Sequence, residues 1–411
     1  MSPSIRAGRR RAAKGTQATG LRAAALRAAG FGPAGRRVAL LAVAALLALN
    51  GCAPHPEGVL VPLAQAAPGA SQVDILAATT RAPTDQPGVL FTGERGDGLS
   101  LTNIVVSIPP NREVGSIQWP RPGAADPARD FAIADVSTVP RAGVLDWFKG
   151  AKGRKRRVLI FVHGFNTRFD SAVFRFAQIV HDMNADVAPV LFSWPSRGRV
   201  LDYVYDREST NFSRNDLAYV MRAAARSPYV DDVVVMAHSM GAWLAVESLR
   251  QLALQDGRIP AKISNVVLAS PDLDIDVFRR QVAEMGKDRP RITIFVSRND
   301  RALGLSQLIA GGVTRVGAID LTQPDKAAQL EQATGIVVLD LSGLENGDAL
   351  NHSKFATSPE VVQLLGTRLS SGQDLGDREG GSGAEAVQVL GAAVGGVVTA
   401  PITVFTGGLR N

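Results

Sequence analysis

The chain has 411 residues, with 45 Lys and Arg against 38 Asp and Glu, five His and a single Cys. That length allows a large core and two or three domains. Nine of the basic residues stand in residues 1–51, where there is no Asp or Glu, so from Cys52 onward 36 basic residues face all 38 acidic ones; the formal charge of +7 belongs to the leader, and the body offers no electrostatic case for a nucleic-acid partner.

In chain order, a basic stretch ending in Arg36-Arg37 leads into the apolar run Val38 to Leu49. This is the layout of a secretory signal over residues 1–51, and it is shorter than the roughly 20 residues a spanning helix needs. The run ends in Leu49-Asn50-Gly51-Cys52, which resembles a bacterial lipobox. Lipidation of Cys52 is therefore expected, each buried acyl methylene contributing about 0.8 kcal/mol to an anchor on the cell envelope. Asn50 is unusual in a lipobox, the n-region is long enough to suggest a start further downstream, and Arg36-Arg37 also fits a twin-arginine route. Ala53 is not the inner-membrane retention residue of the enterobacterial sorting rule, which points to the periplasmic face of the outer membrane. One cysteine excludes an intrachain disulfide, so the fold must rest on packing.

Residues 52–71 are rich in Pro, Ala and Gly and read as a tether. Residues 72–150 read as a β-rich N-terminal extension, with strands expected at Val73–Ala77, Val89–Phe91, Leu101–Ile108 and Gly115–Trp119. Residues 121–156 read as loop, with a helical turn near Val144–Phe148. From 151 to 369, apolar runs (Arg157–Val162, Pro189–Phe192, Asp232–Ala237, Ile263–Ala269, Arg291–Val296, Ile336–Leu341) alternate with helical patterns near 170–184, 213–226, 240–255, 275–286, 301–310 and 358–369. Such alternation predicts an α/β fold with a mostly parallel sheet covered on both faces. There is no internal repeat. The 370–411 tail is Gly-rich; Ala386–Gly408 carries no charge but has many Gly and little Leu. It is expected to form an amphipathic or hairpin membrane contact, or to pack on the body of the protein, rather than to span a membrane.

The run Val233-Val234-Val235-Met236-Ala237-His238-Ser239-Met240-Gly241-Ala242-Trp243 carries the chemistry. A buried strand ends in small-x-Ser-x-Gly and continues as a helix, the form of a nucleophile elbow. A serine hydroxyl needs an adjacent base oriented by a carboxylate, and in elbow enzymes the chain order is Ser, acid, His. Of the five histidines only His352 lies beyond Ser239, so it is the expected base. Asp300 follows the strand at 291–296 and is ranked first as the acid. Asp272, Asp274 and Asp276 compete with it, but they open a helix, where Asp suits the unpaired amides, and they read as capping. The oxyanion needs amide donors: Met240 supplies one, and Phe165, in His163-Gly164-Phe165-Asn166, the other. His163 and His238 are expected to hold structure rather than act as bases. No HExxH and no Cys/His spacing calls for a metal, and no cofactor is expected.

These motifs resemble a bacterial α/β-hydrolase family of largely uncharacterised, exported esterase- or lipase-like proteins. The resemblance lies in Thr79-Thr80-Arg81, Val106-Ser107-Ile108-Pro109-Pro110, Val162-His163-Gly164-Phe165-Asn166, Phe192-Ser193-Trp194-Pro195-Ser196, Ala237-His238-Ser239-Met240-Gly241, Ser297-Arg298-Asn299-Asp300 and Asn351-His352-Ser353, and extends over about 73 to 369. It implies the α/β-hydrolase fold, catalysis by Ser239, Asp300 and His352, and no particular substrate. The expected activity is hydrolysis of a small-molecule or lipid ester through an acyl-enzyme, with Trp194–Phe212 lining or covering the acyl pocket. The cluster Lys149, Lys152, Arg154, Lys155, Arg156, Arg157 is compatible with an anionic membrane surface, or is a solvated approach to the strand. Alternatives are an amidase or thioesterase, and a non-catalytic envelope platform on a hydrolase fold.

Overall fold

The computed structural model describes residues 56–63, 67–121, 125–151, 156–320, 336–344, 347–371, 386–393 and 396–406. The leader, Cys52 and the middle of the basic cluster at 152–155 lie outside the described residues, as does part of the 370–411 tail.

Eleven strands form one sheet. They are β1 (Ser71–Pro83), β2 (Phe91–Ile108), β3 (Ala132–Thr138), β4 (Arg157–Val162), β5 (Ala188–Ser193), β6 (Asp232–His238), β7 (Ile263–Ala269), β8 (Arg291–Val296), β9 (Ile336–Asp340), β10 (Ala386–Ala393) and β11 (Gly396–Thr406), in the spatial order 10-11-9-8-7-6-4-5-1-2-3. The pairs from β1 through β5, β4, β6, β7 and β8 to β9 are parallel. β2 and β3 extend one side antiparallel, and the hairpin β10–β11 extends the other. This is the α/β-hydrolase fold expected from the sequence, and β1 to β3 belong to the same sheet.

The central strands are apolar at nearly every position because both of their faces are covered, as the pleat requires when successive side chains point to opposite sides. On one face Val158, Ile160, Val162, Val233 and Val235 meet Leu217, Met221, Leu244 and Phe278. Those residues come from α3 (Tyr203–Arg226), α4 (Met240–Asp256) and α5 (Ile275–Glu284). On the other face Leu159, Phe161, Val234 and Met236 meet Phe174, Phe176, Val361 and Leu365. The helices there are α2 (Phe169–Met183) and α8 (Pro359–Ser371). Three shorter helices complete the set: α1 (Val144–Gly150), α6 (Arg301–Ile309) and α7 (Lys354–Thr357).

Several elements depart from the sequence reading. Gly115–Trp119 forms no strand, whereas Ala132–Thr138, read as loop, pairs with β2. Helix α3 begins at Tyr203 rather than near 213, so much of Trp194–Phe212 is helical. The 386–406 stretch is a β-hairpin on the edge of the sheet at β9, one of the arrangements anticipated for it. Among the described residues no helix is long and apolar enough to cross a membrane.

Chain order places β5 on one side of β4 and β6 on the other. The direction of winding therefore reverses above the carboxyl ends of β4 and β6, where open α/β sheets leave a crevice.

Phe174 of α2, wholly buried, touches both Phe131 before β3 and Trp119, at centroid distances of 5.8 and 5.3 Å. It joins the antiparallel extension to the parallel core. Phe174→Ala is expected to destabilise the protein by about 3–5 kcal/mol, measured by urea unfolding; a loss below about 1 kcal/mol would show that the extension is not cohesive with the core.

Candidate active site

The loop ends above β4, β6, β7, β8 and β9 hold the sequence-predicted residues. β6 ends at His238, α4 starts at Met240, and Ser239 between them sits at φ 54°, ψ −123°. That strained backbone is characteristic of an elbow, and it persists only where neighbours fix it. Ala237 is fully buried. A Cβ at Gly241 would fall 2.2 Å from the His163 carbonyl oxygen, and one at Gly164 would fall 2.9 Å from Ser239 Cβ. Both positions therefore admit only glycine. The Ser239 amide donates to Ala269 O and its carbonyl accepts from the Asp272 amide, which ties the elbow to β7 and the loop after it.

Asp300 and His352 come together, although 52 residues separate them: Nδ1 of His352 lies 2.7 Å from Oδ2 of Asp300. The aspartate side chain has no exposed surface and the imidazole is 13% exposed. Burial opposes a charge on His352, but Asp300, backed by Asp348 and Asp272, outweighs it and raises the pKa above its ordinary value. The other Asp300 oxygen, Oδ1, caps α6 by accepting from the Leu303 amide. The loop carrying His352 is fixed as tightly: Asp348 Oδ1 accepts from the His352 amide, and Leu350 O accepts from the Arg301 amide. Buried Lys354, a residue to which the sequence reading gave no role, donates to Asn299 Oδ1 and Leu341 O, clamping the Asp300 loop to the His352 loop.

Among the described residues the Ser239 hydroxyl forms no hydrogen bond, and it is the neighbouring His238 that contacts His352. The His238 ring lies 4.6 Å from the His352 ring, donates through Nε2 to His352 O, and rests on Phe355. Burial, followed by the charge of His352, drives the pKa of His238 well down, so it is neutral. The amides of Met240 and Phe165, the expected oxyanion donors, have no acceptor among the described residues. No group of three His, Cys, Asp or Glu among the described residues could hold a metal ion.

The loop carrying Phe165 is held by a residue to which the sequence reading also gave no role. Arg81 lies between two register shifts where β1 pairs with β2, and such bulges re-aim a side chain. Buried at 1% exposure, its guanidinium donates to Ser193 Oγ, Thr92 O, Ser196 O, Thr167 O and His163 Nε2. Burial lowers its pKa to about 10, so it stays charged. His163 stacks on Trp194 at 4.9 Å and is held at about 3 by burial and by Arg81. It is therefore a neutral prop, as expected. Asp206, buried on α3, accepts from Ser196 Oγ and from the amides of Arg197 and Asn166. This anchors one end of the 194–212 segment beneath the Phe165 loop.

The aspartate cluster after β7 divides into separate roles. Asp274 caps α5, accepting from the Asp276 and Val277 amides, as the sequence suggested. Asp272 instead is buried beside the elbow, accepts from Ser306 Oγ and Tyr203 OH, and lies 3.2 Å from Arg315 Nε. Tyr203 also packs edge-on against Phe165.

A family model described as "Alpha/beta hydrolase of unknown function (DUF900)" matches residues 144–368. The uncharacterized protein alr1448 of Nostoc sp. strain PCC 7120 is 28% identical over 160 residues, covering 31% of this chain and 42% of that protein. This chain thus spans about two fifths of that relative's length. Solved structures with a weak overall likeness include a lipase-esterase related protein from Clostridium acetobutylicum, 9% identical, covering 53% of this chain and 96% of that one, with a TM-score of 0.30. A Pyrobaculum calidifontis esterase is 11% identical, covering 66% and 81%, with a TM-score of 0.31. Likeness at that level carries no argument about what this chain does.

The imidazoles give two signatures. His352, raised in the folded state, contributes stability that is full below about pH 6.5 and is lost as pH rises through its folded pKa. By NMR it is expected to titrate above 6.5, and Asp300→Asn is expected to lower its midpoint. His163 and His238 have the opposite sign, because the unfolded chain takes protons that the folded state refuses. Each removes up to about 1.4 kcal/mol per pH unit as pH falls below about 6.5. Urea unfolding is expected to lose about 3 kcal/mol or more between pH 6.5 and 5, and equal stability at the two pH values would contradict buried neutral imidazoles.

Proposed function

We propose that this chain, which belongs to the family of alpha/beta hydrolases of unknown function, is a serine hydrolase that cleaves carboxylic esters through an acyl-enzyme on Ser239. The observation that carries the reading is the 2.7 Å contact between His352 and a fully buried Asp300 beside the strained elbow. A scaffold that only binds has no need of a buried carboxylate held on an imidazole next to a strained serine turn.

In this mechanism Ser239 Oγ attacks the ester carbonyl carbon while His352 Nε2 takes the hydroxyl proton. Asp300 holds Nδ1–H and stabilises the imidazolium that forms. The amides of Met240 and Phe165 receive the negative oxygen of the tetrahedral intermediate, and two preorganised donors at that point do more than any other single term. The intermediate collapses as the ester C–O bond breaks, with the His352 proton passing to the leaving alkoxide. Water, deprotonated by His352, then releases the acid and restores the serine. Arg81 and Asp206 act through the Phe165 loop as positioning residues, since their hydrogen bonds fix the backbone that presents that amide.

The leader sequence adds an address to the proposal: export, lipidation at Cys52 and residence on the cell envelope, with small-molecule or lipid esters as substrates. Its support is the sequence pattern alone.

The test is labelling of the purified protein by a fluorophosphonate, with ester hydrolysis measured in parallel. Ser239→Ala and His352→Ala are expected to abolish labelling and to lower kcat by about 10⁵-fold or more, and Asp300→Asn to lower it by about 10⁴-fold. Folded wild-type protein that is not labelled would replace this reading with that of a non-catalytic platform. Arg81→Met, which strips a donor from the carbonyls of Thr92, Thr167 and Ser196, is expected to cost about 3 kcal/mol or more in urea unfolding; a smaller loss would mean that the Phe165 loop is held by other means.

A further inference from the structure

The Met240 amide belongs to the same peptide group as Ser239 O. A trans peptide unit is planar and stiff, with its N–H and C=O directed to opposite sides. Ser239 O accepts from the Asp272 amide. That bond therefore fixes the plane of the Ser239–Met240 peptide, and with it the direction in which the Met240 N–H points. A carbonyl that accepts a hydrogen bond also polarises its own peptide group, which strengthens the N–H as a donor.

Asp272 is a fixed post. Its chain neighbours Pro271 and Leu273 accept through their carbonyls from the amides of Gly317 and Val316. Its buried carboxylate accepts from Ser306 Oγ through Oδ1, the oxygen that lies 3.2 Å from Arg315 Nε. The other oxygen, Oδ2, accepts from Tyr203 OH at 3.1 Å, and the same hydroxyl stands 3.1 Å from Ser306 Oγ. Burial, followed by the Asp272 charge, raises the Tyr203 phenol above its ordinary pKa, so it keeps its proton and donates. Tyr203 then reaches the second oxyanion donor with its ring, which meets the Phe165 ring edge-on at 5.2 Å. The backbone on either side of Phe165 is tied elsewhere, by Arg81 at His163 and Thr167 and by Asp206 at Asn166. Between those ties, the Phe165 ring rests on Tyr203.

One side chain thus joins both halves of the oxyanion site. From the Met240 amide the connection runs through Ser239 O and Asp272 to the Tyr203 hydroxyl, and from the Tyr203 ring to Phe165. We propose that Tyr203 is a positioning residue that sets the gap between the amides of Met240 and Phe165. This rests on the reading of Ser239 as the nucleophile, and it gives the start of α3 a part in that reaction. Two donors aimed at one oxygen act most strongly on the charge that develops there in the transition state. A change in their separation therefore lowers kcat and leaves ground-state binding alone.

The test is Tyr203→Phe, which keeps the ring on Phe165 and removes the hydroxyl from Asp272. With p-nitrophenyl acetate, kcat and kcat/KM are each expected to fall about tenfold while KM stays within about twofold of wild type. A trifluoromethyl butyl ketone reads the oxyanion site directly. Ser239 Oγ adds to its carbonyl carbon, the C=O π pair becomes the oxyanion, and the serine proton passes to His352. Its inhibition constant is expected to rise by about the same tenfold, and that of the corresponding alcohol, which fits the same space but forms no oxyanion, to stay as it is. Because both inhibitors are compared on the same protein, a general loss of folded enzyme cancels. Tyr203→Leu, which removes the ring as well, is expected to lose about tenfold more in kcat. Wild-type kcat in Tyr203→Phe, a raised KM with kcat kept, or a lowered kcat with unchanged ketone affinity overturns the positioning role while fluorophosphonate labelling still supports the serine hydrolase. Wild-type protein that shows neither labelling nor turnover overturns the nucleophile itself and the role of Tyr203 with it.

Discussion

A serine at φ 54° and ψ −123° is the constraint around which the upper edge of the sheet is organised. The conformation is costly for a residue with a side chain, so it is stable only where the neighbouring backbone leaves no alternative. The elbow meets that condition through contact on every side. Gly241 lets α4 approach the carbonyl of His163, Gly164 lets the opposite loop approach the serine, and amide bonds to Ala269 and from Asp272 lock the turn to β7. Each of these contacts also positions another functional group. The loop held against Gly241 carries the Phe165 amide, and the loop bonded to Ser239 O carries Asp272.

Charge is distributed with the same economy. Three imidazoles lie close together above β4 and β6, and only one has a carboxylate at hydrogen-bond distance. His352 is raised by Asp300, whereas His163 and His238 are held neutral by burial and by the positive charge beside them. A proton arriving at this cluster therefore has one stable position. That separation of environments is how a site built from several similar groups assigns distinct roles to each.

The antiparallel extension contributes to the site as well as to the core. β1 delivers Arg81 through two register shifts into a buried position where it binds three separate segments of chain, at Thr92, His163 to Thr167 and Ser193 to Ser196. The first half of α3 joins the same network, with Asp206 beneath Ser196 and Asn166 and Ser213 bonded to Thr80. The face that this part of α3 buries is polar: Asp206, Ser209, Thr210 and Ser213 are all inaccessible to solvent. For that reason its helical character left no apolar periodicity in the sequence, and residues 203–212 read as loop.

What could be seen in the sequence was whatever is encoded locally. The apolar runs of β4 to β9, the strand–turn–helix around Ser239 and the loops bearing Asp300 and His352 are short-range patterns, and elimination among five histidines singled out, without coordinates, the one that meets Asp300. β3 lacks a strong pattern of its own and is a strand because β2 pairs with it. Arg81 and Lys354 are long polar side chains that would read as surface, and they are buried because acceptors from distant segments surround them. The sequence by itself determined the sheet, the elbow and the loops that carry Asp300 and His352, because hydrophobic period and turn chemistry act over a few residues. Only the tertiary structure decided which polar residues support the site, because a buried polar group is stable only through partners that the fold brings from far along the chain.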